Sequence, residues 1–385
     1  MKKIKVAEII TRMDWAGSPD IIRIICDSLT GDKYDVKLVI GQTRHPSAGT
    51  KEFLAKFKDN VIVIPFLRRE INPFFDILAF FYLYRILTRE KFDIVHTHTA
   101  KAGALGRLAA RLAGNCRVVH MPHGHNFYGY FNPVGSKLVV LIERFLSRVT
   151  DKIVTLSELE KKDMVKFGVA KEGKIRTMLP GIALEFRNIG SGRNSSKKKE
   201  FGYGIDQKIV GMVSRLEPVK GPEYFIEAAA KVAKRIDNVR FLVVGEGSLR
   251  KRLESRAEEK GIGGKIVFAG WRDDALDIIS FLEILVQPSL NEAIGRVLIE
   301  AQGLGIPVIA TKVGGIPAVV RDNVTGILVP AGDTEKLTAA ICDLLENTEK
   351  RLSMSAKSRE WIDEKFSSET MASRIDSLYT EMVSK

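Results

Sequence analysis

The sequence predicts an α/β chain built from two doubly wound, Rossmann-like domains, and three observations predict it. Short β-branched runs alternate with longer amphipathic runs from one end to the other. The β-branched runs are mostly continuous in apolar residues, as expected for parallel strands covered on both faces. Near the middle, residues 188–208 (NIGSGRNSSKKKEFGYGIDQK) are rich in Gly, Ser and Lys and break the alternation.

In the first half the predicted strands are IKVAEII, YDVKLVI, NVIVIP, FDIVHTH, RVVHMP and KIVTLS. The N-terminal Met-Lys-Lys before the first run resembles a signal peptide. Lys5 and Glu8 interrupt that run and no small-residue cleavage site follows, so it reads as a strand. In the second half the strands are KIVGMVS, VRFLVVG, KIVFAG, ILVQPS, PVIATK and GILVP, with helical stretches such as PEYFIEAAAKVAKRI between them. The break places one domain at 1–190 and the other at 205–365, with a last helix at 366–385 able to pack back on the first. Residues 72–90 (NPFFDILAFFYLYRILTRE) hold too many apolar side chains for one helical face. The first expectation is a helix buried beside the sheet; the sharper one gives it an exposed flank that touches a membrane. No run is long enough to span a bilayer.

The 385 residues suffice for two domains. Three scattered cysteines, Cys26, Cys116 and Cys342, form neither a disulfide framework nor a zinc spacing. They read as reduced thiols in a cytoplasmic protein. Charge is uneven: residues 1–200 carry 35 basic and 20 acidic side chains, a net of +15, whereas the remainder carry 25 and 27. A basic first half suits an anionic partner, and plain solubility accounts for it equally well.

The most informative segment is 289–330. Glu292 and Glu300 stand eight positions apart, the first in the loop after ILVQPS and the second on a helix starting near Gly295. Such a pair suits sugar hydroxyls, and a helix N-terminus suits a diphosphate; alone, the spacing also fits a solvated helix face. The VGGIP loop at 313–317 allows close approach of a ligand, or simply a tight turn. In GMVSRLEPVKG, Arg215 and Lys220 follow the first strand of the second domain. Two cations at a strand's C-terminal end can neutralise a departing diphosphate, although exposed basic loops are common. The sequence has no Asp-x-Asp, so protein cations, not a bound metal, are expected to do this work.

These elements together resemble glycosyltransferase family 4, retaining enzymes of the GT-B fold. The resemblance rests on Glu292-x7-Glu300, Arg215…Lys220-Gly221, VVGEG at 243–247, FAGW at 268–271 and GG-x-P at 314–317, all in the family's order. It implies two parallel sheets facing across an interdomain cleft, and transfer of a hexose-type sugar from a nucleoside diphosphate to an acceptor hydroxyl. Arg215 and Lys220 would hold the diphosphate, Glu300 the ribose, and Glu292 the transferred sugar. Backbone amides of Ile294, Gly295, Arg296 and Val297 would touch sugar or phosphate. Gly245, Glu246, Gly247, Trp271, Arg272 and Leu276 would line the base pocket. Gly17 and Ser18 would approach the phosphate from the first domain, and His123 would sit near the anomeric carbon. The chain departs from the family pattern at Ala293, Ile294 and Arg296, in the Ala16-Gly17-Ser18 loop, and at Ala183, where an acid is usual. These departures bear on which sugar is used.

Five of the six histidines, His96, His98, His120, His123 and His125, fall within thirty residues. With no acid or thiol nearby in sequence, no metal site is expected. His96 and His120 read as structural, His98 and Lys101 are open between acceptor binding and plain loop chemistry, and Asn126 is an acceptor candidate. The implied partners are a nucleotide-sugar donor, probed first with uridine diphosphate sugars, and a glycan or lipid-linked acceptor of cell-surface polysaccharide synthesis. An anionic membrane surface, met peripherally on the inner face, is a further expected partner. Nucleic acid is not expected, because the basic stretches lack interleaved aromatics. Alternatives are a sugar-nucleotide 2-epimerase, a non-catalytic glycan binder and, more weakly, a dinucleotide oxidoreductase.

Overall fold

Each β-branched run of the first half becomes a strand of one parallel sheet: β1 (Ile4–Ile10), β2 (Tyr34–Ile40), β3 (Val61–Val63), β4 (Ile94–His98), β5 (Arg117–Met121) and β6 (Lys152–Thr155). A seventh, β7 (Ile175–Thr177), closes the edge; three residues long with Arg176 exposed, it carries too little apolar pattern to be read from sequence. The order is β3-β2-β1-β4-β5-β6-β7. The six runs of the second half form β8 (Lys208–Val213), β9 (Val239–Val244), β10 (Ile266–Gly270), β11 (Ile284–Gln287), β12 (Val308–Thr311) and β13 (Gly326–Val329), in the order β10-β9-β8-β11-β12-β13. All pairings are parallel. The computed structural model describes residues 2–14, 17–44, 46–114, 116–124, 127, 132–182 and 195–384.

The chain divides into Met1–Ile182 with Ser368–Lys385, and Ala183–Ser367. The first boundary lies a few residues before the predicted 190. Part of the segment read as linker is the helix Ser195–Glu200, which belongs to the second unit. Its Lys198 is buried and donates to the carbonyls of Ile205 (2.7 Å) and Gln207 (2.6 Å), so a lysine-rich stretch is ordered by backbone acceptors that composition does not reveal.

Local signals set the helices. Asn72 accepts a hydrogen bond from the Phe75 N–H and precedes Pro73, opening the helix Pro73–Glu90; Asn132 does the same for Gly135 ahead of Pro133, opening Pro133–Arg148. The helix Pro73–Glu90 buries only Ala79, Leu83 and Leu87. Phe74, Ile77 and Phe81 stand exposed, Phe74 by 68 %. The expectation of a buried helix is therefore corrected: one narrow stripe enters the core of the first unit, Phe80 and Ile86 pack partly against it, and Phe74, Ile77, Phe81, Tyr82 and Tyr84 face outward. The core of the second unit is built around Phe225, Phe241, Val210, Val243, Val286 and Ile309.

Candidate active site

In an open parallel sheet, ligands bind beyond the strands' C-terminal ends, where the strand order reverses. In the second unit that reversal falls between β8 and β11. The loop after β8 carries Arg215 and Lys220, and the loop after β11 carries Glu292. Lys220 is ion-paired with Glu292, both side chains largely buried. Arg215 is exposed, and its guanidinium has no ion-pair partner among the described residues. One cation is thus positioned by a carboxylate and the other is free to meet an anion.

The loops rest on one another through their backbones. A Cβ at Gly245, where φ is +130°, would lie 1.9 Å from the Ser214 carbonyl oxygen. The Leu216 N–H donates to the Glu246 carbonyl at 2.9 Å, and the Glu246 side chain pairs with Arg250. At Gly314 the added Cβ would lie 1.8 Å from the Glu292 carbonyl oxygen, and the Gly315 N–H donates to that same oxygen at 2.9 Å. The VGGIP glycines therefore give room to the loop bearing Glu292.

The helix Arg296–Gly303 begins after Gly295 (φ +72°) with no side-chain cap, and a helix N-terminus of this kind suits an anion. Ile294 is buried. Glu300 accepts a hydrogen bond from Arg296 Nε at 2.8 Å. Trp271 is half-exposed, and Leu276 lies on the helix Ala275–Ser280. Arg272 is held by Asp274 through two bonds of 2.7 Å and by Glu200 at 2.7 Å, so its guanidinium is engaged before any base arrives.

In the first unit the order reverses between β1 and β4. Gly17 and Ser18 are the first residues of the helix Gly17–Leu29; Ala16 lies outside the described residues, as do His125 and Asn126. His96 and His120 are buried and bonded as structural residues, His96 Nδ1 to the Tyr379 hydroxyl (2.6 Å) and His120 Nδ1 to Thr97 Oγ1 (3.0 Å). His98 is also fully buried, with Nε2 on Glu8 Oε2 (2.6 Å) and Nδ1 on His123 Nε2 (2.8 Å). It has no face to offer an acceptor, and that expectation is corrected. Lys101 is half-buried, and its ammonium is held by Asp76 and the Glu70 carbonyl.

Glu8, Tyr379 and Glu160 were missed. Glu8 overturns the premise that no acid lies near the histidines: it faces His96 across the β1–β4 pair, and single ligand atoms of Glu8, His96 and His98 lie within 4.8 Å of one another. An acid inside an otherwise apolar run marked the position, but nothing local showed that it faces the histidines. Burial alone would raise the Glu8 carboxyl, but the His96 charge and the hydrogen bonds from His96 and His98 outweigh it and hold it well below the carboxylate range.

Glu160 is buried under the His123-Gly124 turn, accepting from the N–H groups of Leu156 (2.8 Å) and Gly124 (3.2 Å). Burial pushes its pKa up from 4.5 to about 7, against those two bonds. The native state therefore binds this proton more tightly than the unfolded chain does. Glu160's contribution to stability is complete below pH 4.5 and is lost as pH rises through about 7. Denaturant titrations across that range should show a loss of roughly 3 kcal/mol that Glu160→Gln abolishes.

Two Rossmann-like units, one carrying paired cations and acids at its switch point, define the GT-B class of transferases. Residues 195–361 match the family model for glycosyl transferases group 1, and residues 20–186 match that for Glycosyltransferase Family 4. The chain is 28 % identical over 384 residues to the UDP-Gal:alpha-D-GlcNAc-diphosphoundecaprenol alpha-1,3-galactosyltransferase of Escherichia coli, covering 99 % of this chain and 98 % of that one. It is 28 % identical to the N-acetyl-alpha-D-glucosaminyl L-malate synthase of Bacillus anthracis, covering 81 % and 80 %. Among solved structures, Anabaena Alr3699/HepE in complex with UDP and glucose superposes with a TM-score of 0.83 at 20 % identity, covering 98 % of this chain and 100 % of that one, a likeness of fold. The chain belongs to glycosyltransferase family 4 and is a glycosyltransferase. Neither curated relative is named as an epimerase.

Proposed function

We propose that the enzyme moves a hexose-type sugar from a uridine diphosphate donor to a hydroxyl of a lipid-linked glycan, with retained anomeric configuration. The observation that carries this reading is the pair of cations at the β8–β11 reversal, Lys220 seated on Glu292 and Arg215 exposed, with no ion-pair partner among the described residues. Cations fixed by the protein facing a diphosphate stabilise it as charge develops on it. The donor then needs no metal, and the departing phosphate takes the acceptor's proton on the same face of the sugar. Glu300 holds the ribose, and His123 contacts the transferred sugar. The lipid-linked acceptor is supported by the Escherichia coli relative, whose named acceptor is a diphosphoundecaprenol-linked sugar.

Such an acceptor fits work at an anionic membrane surface. Besides Phe74, Ile77 and Phe81, the helix Pro133–Arg148 exposes Val134, Leu138, Leu141, Ile142 and Phe145. These five fall on one helical stripe, with Lys137, Arg144 and Arg148 along its edge. No helix of the described residues is long and apolar enough to cross a membrane.

A thermal-shift screen against nucleotide sugars tests the donor: a uridine diphosphate sugar should raise Tm most, and more with concentration. Turnover should persist in chelator. Stabilisation only by other bases, or loss of turnover in chelator, would refute the corresponding part. Pelleting with anionic but not neutral vesicles at low salt tests the surface; no pelleting removes it.

A further inference from the structure

The histidine cluster of the first unit is a directed chain of hydrogen bonds. Glu8 lies in the middle of β1 with no exposure. One of its oxygens accepts from the Tyr379 hydroxyl at 2.6 Å, the other from His98 Nε2 at 2.6 Å. A carboxylate only accepts, so the His98 proton sits on Nε2. Burial and the neighbouring His96 charge push the His98 pKa down to about 4, so its second nitrogen, Nδ1, carries a lone pair at neutral pH. That nitrogen lies 2.8 Å from His123 Nε2, and the proton between them therefore belongs to His123. Burial, the largest influence, lowers the His123 pKa too. A neutral His123 protonated at Nε2 has a bare Nδ1, and this buried atom has no partner in the described structure.

The backbone is arranged around the same residue. His123 stands at φ +59°, and Thr99, directly after His98, at φ +64°. Left-handed backbone at a residue other than glycine is held only where its surroundings demand it, and a β-branched threonine there is rarer still. The two follow the neighbouring strands β4 and β5, and the Glu160 carboxylate grips the next amide, at Gly124.

We propose that Glu8 and His98 are positioning residues that fix His123 as the Nε2–H tautomer and so present its Nδ1 as an acceptor for a substrate hydroxyl. Tyr379, on the helix Ser368–Val383, holds the far oxygen of Glu8, so the end of the chain completes a device begun in its first strand. A histidine in the opposite tautomer would present a proton instead, and a hydroxyl donating to it would be turned away. The proposal rests on the glycosyl-transfer reading of His123.

The test uses the full chain labelled with 15N-histidine, the His123 signals being assigned by their loss in His123→Asn. Two-bond 1H–15N correlations should show Nε2 protonated and Nδ1 bare in the wild-type protein. His98→Leu keeps bulk but breaks the chain. His98→Gln can donate to Glu8 through its amide nitrogen and accept from His123 through its oxygen. His98→Leu should lose the tautomer and lower kcat by ~100-fold, whereas His98→Gln should stay within roughly tenfold of wild type. UDP affinity should be unchanged in both, because Arg215, Lys220, Glu292 and Glu300 lie in the other unit. A protonated Nδ1 in the wild-type protein overturns the proposal, whatever the variants do. Equal loss of kcat in both His98 variants overturns it as well, leaving His98 a packing residue. Absence of UDP binding to the wild-type protein would instead strike the donor reading on which it stands.

Discussion

Lys220→Ala should lower kcat by roughly 10²–10³-fold while the fold survives. In the free enzyme Lys220 is paired with Glu292 in a largely buried setting. The carboxylate keeps the ammonium at the C-terminal end of β8, where a departing diphosphate gathers negative charge. Removing one preorganised donor of charge from such a position costs about 3–4 kcal/mol of transition-state stabilisation. Little of this should appear in the KM for donor, because the charge facing Lys220 is largest as the glycosidic bond breaks. Arg215→Ala should show a comparable loss with a larger rise in KM, since its exposed guanidinium is free to capture the donor. Circular dichroism and Tm near wild type establish that each variant is folded. Wild-type turnover in both would end the assignment of these residues to the leaving group.

Gly314→Ala should be strongly damaging for a single added methyl group. The added carbon would lie 1.8 Å from the Glu292 carbonyl oxygen, at a φ of +51° that alanine resists. Neither atom is the far end of a flexible side chain, so the loop bearing Glu292 must move. The expected cost is roughly 3 kcal/mol or more, combining backbone strain with overpacking. Turnover should fall with it, because Glu292 carries the ion pair that seats Lys220. Gly264→Ala is the control. No atom lies within 4 Å of its added carbon and its φ is not positive, so it should shift stability by no more than ~0.5 kcal/mol. Equal melting temperatures for the two variants would show that the loops do not bear on one another as described.

Much of this protein could be read from its residues in order. A parallel strand buried on both faces is largely apolar along its length, so twelve of the thirteen strands among the described residues announce themselves. Asn72-Pro73 and Asn132-Pro133 mark helix starts because an Asn cap and a Pro at the first turn both satisfy local geometry. The cations Arg215 and Lys220 and the acids Glu292 and Glu300 were legible for a similar reason. They sit in short loops directly after strands, and the direction of a parallel strand dictates the edge at which its loop emerges.

Only the tertiary structure could decide what depends on residues far apart in the chain. Glu8, His98 and Tyr379 are brought together by strand order and by the return of the last helix. No local pattern distinguishes a carboxylate that breaks a strand from one that organises three side chains. His98 and Lys101 looked available as polar residues at a strand end, but burial and partnership come from the whole fold, and both are engaged. The sequence thus determined the two sheets, the edges at which chemistry takes place and the charges placed there, because these follow from near-neighbour periodicity. Which polar groups remain free to meet a substrate was decided by long-range packing, because an unpaired donor or acceptor is defined by everything that surrounds it.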